Sequence, residues 1–209
     1  MELRIIGIFP FVVKEPAKPN SKNRTTGTME TKPIQSVTKE ITRGCLIEKV
    51  IPAIREKWPA SDSNNPIFVQ QDNVRPYIGN NDLKFIDATQ QDGFDIRLCF
   101  QPPNSQDSNV LDLVFFRVIQ SLQYQKAPKN VDELVEAVER FFDEMKAEQL
   151  NHMFLTLQSC MTEVMKDNGG NNYKVPHLSK NGLERKDNLP LQLHCDIDIV
   201  NQAAALLQQ

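Results

Sequence analysis

Two short apolar runs with a helical pattern between them constrain the fold of this chain most strongly. Residues 66–71 and 94–100 are rich in β-branched and aromatic side chains, and residues 81–91 lie between them in a helical pattern. A strand, helix, strand order favours parallel pairing of the two strands. The first run ends at Asp72, and ligands of α/β sheets bind at the carboxyl ends of strands. The sequence therefore predicts an α/β fold with Asp72 at the binding edge of its sheet.

A second aspartate, Asp112, opens the helical pattern that follows the second strand. Residues 73 to 111, which are 39 positions, separate the two aspartates. A compact α/β fold could bring both carboxylates to one sheet edge, where two oxygen ligands can share a divalent metal. Taken alone, Asp72 could equally be a strand-ending turn residue, and Asp112 a helix-start residue favoured by the helix dipole.

The amino-terminal part carries a third candidate strand and a basic segment. Residues 4–13 are mostly apolar and β-branched, which predicts a buried strand. Residues 14–32 hold five basic against two acidic residues, which predicts a mobile basic loop that is either solvated or in contact with DNA backbone. Residues 37–58 have apolar positions at helical spacing, and we expect Gly44 to weaken this helix and Pro52 to kink it.

The carboxyl-terminal half is predicted to be mainly helical. Asn130 and Glu133 form a capping-box pattern ahead of an apolar stripe over residues 131–145, which favours core over a groove for a partner. A second amphipathic helix is expected over residues 147–166, ended by two glycines, and a short one over residues 197–207.

Composition narrows the class of protein. With 209 residues, of which 40% are apolar and 24% charged, the chain is expected to form one globular domain. The net charge of −3 argues against a uniformly basic nucleic-acid binder, so any DNA contact must be local. Four scattered cysteines indicate free thiols in a reducing compartment. The apolar run at the amino terminus is too short for a signal peptide or a membrane span, and no membrane partner is expected.

Four motifs together resemble the plant branch of the mariner-like transposases. They are the Gln-Gln-Asp-Asn-x-Arg-Pro run of residues 70–76, the strand entry at 92–98, the Gln-Pro-Pro-Asn-Ser turn at 101–105 and the Val-Leu-Asp-Leu-x-Phe-Phe helix start at 110–116. The likeness extends from about Ile6 to Val200 and includes residues 7–11, 48–54 and 169–174. The 39-residue gap before the last catalytic aspartate is the family's habitual spacing.

The resemblance implies an RNase H-like fold in which three aspartates hold two Mg²⁺ (or Mn²⁺) ions and cut and rejoin DNA. Asp72 would be shared by both ions, and Asp112 would hold one of them. The Asp-Glu-Lys-Trp setting of the first aspartate does not occur in this sequence, and no paired helical pattern precedes Gly7. We therefore expect an incomplete RNase H-like fold, with a truncated sheet of two or three strands and a mainly helical carboxyl-terminal half.

Residues 1–125 would be the truncated core, with a flexible basic loop at 14–35, and residues 126–209 a helical extension of the same domain. Residues 4–13 could dock beside 67–71, which we favour, pair with another molecule, or stay loosely attached. Two positions depart from the family motifs: Tyr77 stands where histidine is usual, and Gln106 where proline is usual.

The expected function is that of a truncated, catalytically inactive transposase in the nucleus, or in the cytoplasm if it is not imported. Residual DNA binding would come from five basic residues, namely Lys14, Lys18, Lys22, Arg24 and Arg75. Two alternatives stay open. One is a host-recruited interaction module that forms homo-oligomers or joins full-length transposase or another protein, and the other is a residual magnesium-dependent nuclease.

Overall fold

A computed structural model describes residues 6–18, 25–90, 93–103 and 105–208. It is a mixed α/β structure with two sheets of two strands each among these residues. The chain divides into two compact units that interleave in sequence. The described parts of residues 6–101 and 122–143 form the α/β unit, and those of residues 102–121 and 144–208 form the helical unit.

The α/β unit begins with a β-hairpin that the sequence did not predict. Strand β1 (Val12–Pro16) pairs antiparallel with strand β2 (Met29–Pro33), from Val12 opposite Pro33 to Pro16 opposite Met29. The predicted loop over 14–32 was therefore wrong at both of its ends, and the predicted strand over 4–13 was wrong for residues 6–11, which are irregular. β1 is largely exposed and β2 is half-buried at its three central residues, and main-chain pairing forms both strands without an apolar pattern.

The amino-terminal chain does not dock where we expected. Within the described ranges, β3 (Ile67–Gln71) has β4 (Ile96–Phe100) as its sheet neighbour, and residues 6–11 are not in a strand beside it. Residues 4 and 5 lie outside the described residues. The predicted docking of 4–13 beside 67–71 was therefore wrong for the part that the structure describes: Phe11 O accepts from Ile34 N–H at 2.9 Å beside the hairpin, and Ile6 O accepts from Lys57 Nζ at 2.8 Å.

A continuous helical segment follows the hairpin, as predicted, but it widens where we expected a kink. It consists of α1 (Lys39–Cys45), a π-helical turn (Leu46–Val50) and α2 (Ile51–Lys57). Pro52 has no N–H and its ring crowds the carbonyl four residues earlier. The wider turn, in which Ile51 N–H donates to Leu46 O, accommodates this crowding.

The predicted strand, helix, strand unit is confirmed. Strand β3 is followed by α3 (Leu83–Thr89) and then by β4, which pairs with β3 in parallel from Ile67 opposite Ile96 to Gln71 opposite Phe100. One face of this sheet packs on α2 and α3. The buried apolar cluster that results is Ile51, Ile54, Ile67, Ile78, Phe85, Ile96 and Leu98.

The next helices begin where the sequence predicted. A π-helical turn (Leu111–Phe115) leads into α4 (Phe116–Lys126), and α5 (Val131–Asp143) follows. At the start of α5, Glu133 N–H donates to Asn130 Oδ1 at 2.8 Å, and Glu133 Oε2 accepts from Lys129 N–H at 2.8 Å. The apolar side chains of α5 are half-buried and none is buried, so the stripe borders the core rather than forming it.

The helical unit is organised around α6 (Ala147–Lys166), with α7 (Lys180–Glu184) and α8 (Ile197–Leu206) after it. The apolar side chains that α6 buries are Leu150, Met153, Leu155 and Cys160. Its predicted stop is confirmed as a Schellman motif, because Gly169 N–H donates to Val164 O at 2.8 Å and Asn168 N–H to Met165 O at 3.2 Å. Across the described ranges, no helix is both long and apolar enough to cross a membrane.

Candidate functional site

Asp72 is the first residue after β3, at the carboxyl end of the parallel strand pair. Its side chain is exposed, and its Oδ1 accepts a hydrogen bond from Asn73 N–H at 2.6 Å. A carboxylate in this position can accept further hydrogen bonds from solvent or bind a hard cation through oxygen. Asp72 therefore occupies the sheet edge that the sequence predicted for it.

The loop that carries Asp72 is bound to the end of β4 by one amide side chain and to the end of β3 by another. Asn73 Nδ2 donates to Gln101 O at 2.5 Å, and Gln101 N–H continues the ladder to Gln71 O at 2.9 Å. Gln71 Nε2 reaches across the loop to Ile78 O at 2.7 Å. Gln101 is buried, and the two side-chain bonds are partly buried. Sequence reasoning missed Asn73 and Gln101 as positioning residues, although both belong to the motifs quoted above.

Asp112 lies in the π-helical turn that opens α4, as expected for an acidic residue near a helix start. It is half-buried, and its Oδ2 accepts from Asn109 Nδ2 at 2.9 Å. Asn109 Oδ1 in turn accepts from Leu111 N–H at 3.0 Å, which fixes the amide. Asp112 belongs to the helical unit and Asp72 to the α/β unit, so each carboxylate is placed by its own unit.

The predicted nucleic-acid contacts are distributed over the hairpin and the Asp72 loop. Lys14 on β1, Lys18 just after it, and Arg75 beyond Asp72 are exposed. Lys22 and Arg24 lie outside the described residues. In the same hairpin, Lys32 Nζ lies 3.5 Å from Glu15 Oε2 and 3.9 Å from Glu30 Oε2, so nearby carboxylates offset part of the basic charge. Any electrostatic attraction to phosphate here is therefore weak.

A polar cluster that sequence reasoning did not identify joins α7 to α6. Lys180 Nζ donates to His152 O at 2.7 Å and to Thr156 Oγ1, and burial lowers the pKa of Lys180. At the other end of α7, Glu184 Oε2 lies 3.4 Å from His152 Nε2. These contacts link positions four residues apart on each helix, which is the spacing of one helix face.

Two neighbouring groups of the helical unit are poorly suited to chemistry. Burial raises the pKa of the Cys160 thiol, which makes its nucleophilic thiolate scarcer. Burial and the nearby Asp107 carboxylate raise the pKa of Tyr173. The contacts of Lys180 and Glu184 therefore hold α7 against α6, and the cluster does not activate a nucleophile.

Asp72 and Asp112 are of the chemical type that binds magnesium, because Mg²⁺ takes oxygen ligands and uses one or two carboxylates per site. Over the parts of the chain that the structure describes, no group of three or more His, Cys, Asp or Glu side chains is arranged to hold a metal ion. Comparison of the chain with protein-family models, with curated proteins and with solved structures found no match.

Proposed function

We propose that this chain is a part of a mariner-like transposase catalytic domain that does not support transposition by itself and retains weak contact with nucleic acid. The observation that carries the proposal is the position of Asp72. It follows the first strand of a parallel pair, and Asn73 and Gln101 hold its loop against the end of the second strand. This is the edge at which α/β sheets bind ligands.

The two carboxylates have separate roles in this proposal. Mg²⁺ or Mn²⁺, when bound, would supply activation of the attacking hydroxyl and stabilisation of the leaving oxygen. Asp72 would offer its exposed carboxylate oxygens as shared ligands, while Asp112, oriented by Asn109, would offer one more. Asp72 and Asp112 are two of the three aspartates that the resemblance implies. A chain with two such ligands binds the metal weakly and does not sustain the paired mechanism.

Weak nucleic-acid contact follows from charge. The exposed basic residues Lys14, Lys18 and Arg75 can each neutralise a phosphate, and Lys22 and Arg24 are further predicted contacts. The net charge of −3 and the carboxylates beside Lys32 oppose tight binding. The contact is therefore expected to depend strongly on salt.

A supercoiled-plasmid nicking assay with Mg²⁺ or Mn²⁺ tests the proposal. The purified chain is compared with Asp72→Asn and Asp112→Asn, each checked for folding by circular dichroism. We expect the same background nicking in all three proteins. Metal-dependent nicking by the unaltered chain that either substitution abolishes would contradict the proposal and support the residual nuclease instead.

A further inference from the structure

The parallel β3–β4 sheet has one covered and one open face. Side chains at alternate positions, such as Ile67 and Ile96, are buried against α2 and α3. On the opposite face Phe68 is 61% exposed, although it lies within a strand. Parallel sheets are normally covered on both faces, so an aromatic side chain exposed within a strand leaves this face available to a ligand or a partner.

The neighbours of Phe68 on this face are polar and oriented. Arg97 is directly opposite Phe68 in the strand register, and its guanidinium is held by Asp95 through bonds of 2.8 Å from Nε and 2.6 Å from Nη2. The Arg97 side chain is nevertheless 57% exposed. Gln70, two residues along β3, is also exposed on this side. The open face therefore presents one aromatic ring beside an oriented guanidinium and an amide.

We propose that this face is a stacking platform for single-stranded nucleic acid, on which an unpaired base stacks against Phe68 and Arg97 contacts the adjoining base or phosphate. Every base has a π-face, and aromatic or guanidinium planes on sheet surfaces are the groups that bind splayed bases. The inference rests on the nucleic-acid contact of the proposed function and names its place and ligand chemistry.

The position of Asp72 agrees with a single strand of nucleic acid that runs along β3. Phe68, Gln70 and Asp72 are spaced by two residues, so they follow one side of β3 towards its carboxyl end. Four residues of strand span about 13 Å. A single strand that stacks on Phe68 and runs along β3 therefore leads to the Asp72 carboxylate, and Arg75, which is exposed just beyond it, can meet a phosphate.

A protein partner is less favoured by the same side chains. Hydrophobic docking needs a contiguous apolar patch, whereas here a single aromatic ring is flanked by a charged and an amide side chain. A leucine in place of Phe68 separates the two possibilities, because it keeps apolar surface but has no π-face.

The test is fluorescence anisotropy of a labelled oligothymidine of about ten nucleotides, within the site sizes of compact single-strand binders. Phe68→Ala is expected to weaken binding roughly 5- to 150-fold. Phe68→Leu is expected to bind as weakly as Phe68→Ala, and Phe68→Trp at least as tightly as the unaltered chain. Tyr124→Ala is the matched control, because Tyr124 is an aromatic residue 87% exposed on α4, and it should leave binding unchanged.

Each contrary result has a distinct meaning. If the unaltered chain binds the oligonucleotide and Phe68→Ala binds equally well, the stacking platform is overturned while the proposed nucleic-acid contact stands. If the unaltered chain does not bind, both fail, and the nicking assay still decides the catalytic part of the proposal. If Phe68→Leu binds like the unaltered chain, the face is an apolar docking surface and not a stacking one. In Phe68→Trp, added oligonucleotide should quench tryptophan emission beyond any change seen with Trp58 alone.

Discussion

The interactions inside the α/β unit differ from those inside the helical unit. The α/β unit encloses a cluster of seven buried apolar side chains contributed by two helices, two strands and a loop. In the helical unit, α6 buries four apolar side chains and also binds the carboxyl-terminal chain through polar bonds: Asn151 Nδ2 donates to Pro190 O at 3.0 Å, and Gln158 Oε1 accepts from Leu193 N–H at 2.8 Å. Apolar packing is shared by many residues, whereas each polar contact depends on one side chain.

This difference has consequences for stability. Truncating one side chain of an apolar cluster leaves a cavity. Because the surroundings relax only in part, the free energy of unfolding of the whole unit falls. Removing one polar tether frees a short segment and leaves the remainder folded, since stability is not uniform across a structure. The α/β unit should therefore unfold as a whole, and the tail of the helical unit should open locally.

The largest expected effect is that of a cavity in the α/β core. Ile54 on α2 is 4% exposed and belongs to the buried cluster. Ile54→Ala is expected to lower the free energy of unfolding by about 2–5 kcal/mol. Urea unfolding followed by the emission of Trp58, which packs against this cluster, measures it. Leu83→Ala is the control, because Leu83 is 74% exposed and should change stability by less than about 0.5 kcal/mol. A loss below about 1 kcal/mol for Ile54→Ala would contradict the packing described for this unit.

The next largest effect concerns Asp82, which links the start of α3 to Arg43 on α1. Asp82 caps α3 by accepting from Phe85 N–H at 3.1 Å, and it binds Arg43 with a shortest contact of 2.7 Å. Asp82→Ala is expected to cost about 1–3 kcal/mol through the lost cap and the lost charged hydrogen bonds. Asp82→Asn, which can still cap the helix, should cost less. Equal losses for both variants in urea unfolding would mean that the cap contributes nothing.

The stabilisation by Asp82 is expected to depend on pH. Hydrogen bonds from Arg43 are the main cause that lowers the pKa of Asp82 below its ordinary value. A lowered pKa means that the stabilisation is fully present above the unfolded value of about 3.9 and is lost as the pH falls through the folded pKa. Urea unfolding of the unaltered chain and Asp82→Asn should therefore differ at pH 7 and converge in acid. A difference that persists unchanged at the lowest accessible pH would exclude this linkage.

The parts of the fold that follow from local patterns could be predicted from the sequence. The apolar runs at 66–71 and 94–100 and the helical spacing between them predicted the parallel unit, and the Asn130–Glu133 pattern predicted the start of α5. The β1–β2 hairpin could not be predicted in this way, because its strands lack an alternating apolar pattern and are joined by main-chain pairing. The widening before Pro52 was also missed, since a proline predicts a disturbance in a helix but not its form.

The candidate site, too, could be predicted from the sequence only in part. The placement of Asp72 after a strand and of Asp112 in the first turn of a helix follows from hydrophobic periodicity. The bond from Asn73 to Gln101 joins residues 28 positions apart, and nothing periodic in the sequence pairs them. The exposure of Phe68 was missed for a related reason, because a β-strand pattern does not say whether its second face is covered.

The fourth prediction tests the polar tethers of the helical unit. Asn151→Ala removes the bond to Pro190 O and is expected to cost about 1 kcal/mol, felt mainly by the chain around residue 190. Hydrogen exchange should become faster at residues 188–193, with little change in the strands of the α/β unit. Met161→Ala is the control on the same helix, because Met161 is 42% exposed. Faster exchange throughout both units would show that the tail is part of one cooperative core.

The smallest expected effect lies in the hairpin and asks whether surface charges hold the α/β unit together. Lys32 and Glu15 are 40% and 52% exposed, with Nζ and Oε2 3.5 Å apart. A double-mutant cycle with Lys32→Met and Glu15→Gln should give a coupling energy of about 0.5 kcal/mol or less, reduced further in high salt. Exposed pairs gain little because water screens them and two long side chains must be ordered. A coupling above about 1 kcal/mol that survives high salt would show that exposed charge pairs, and not only the half-buried Asp82 contacts, stabilise this unit.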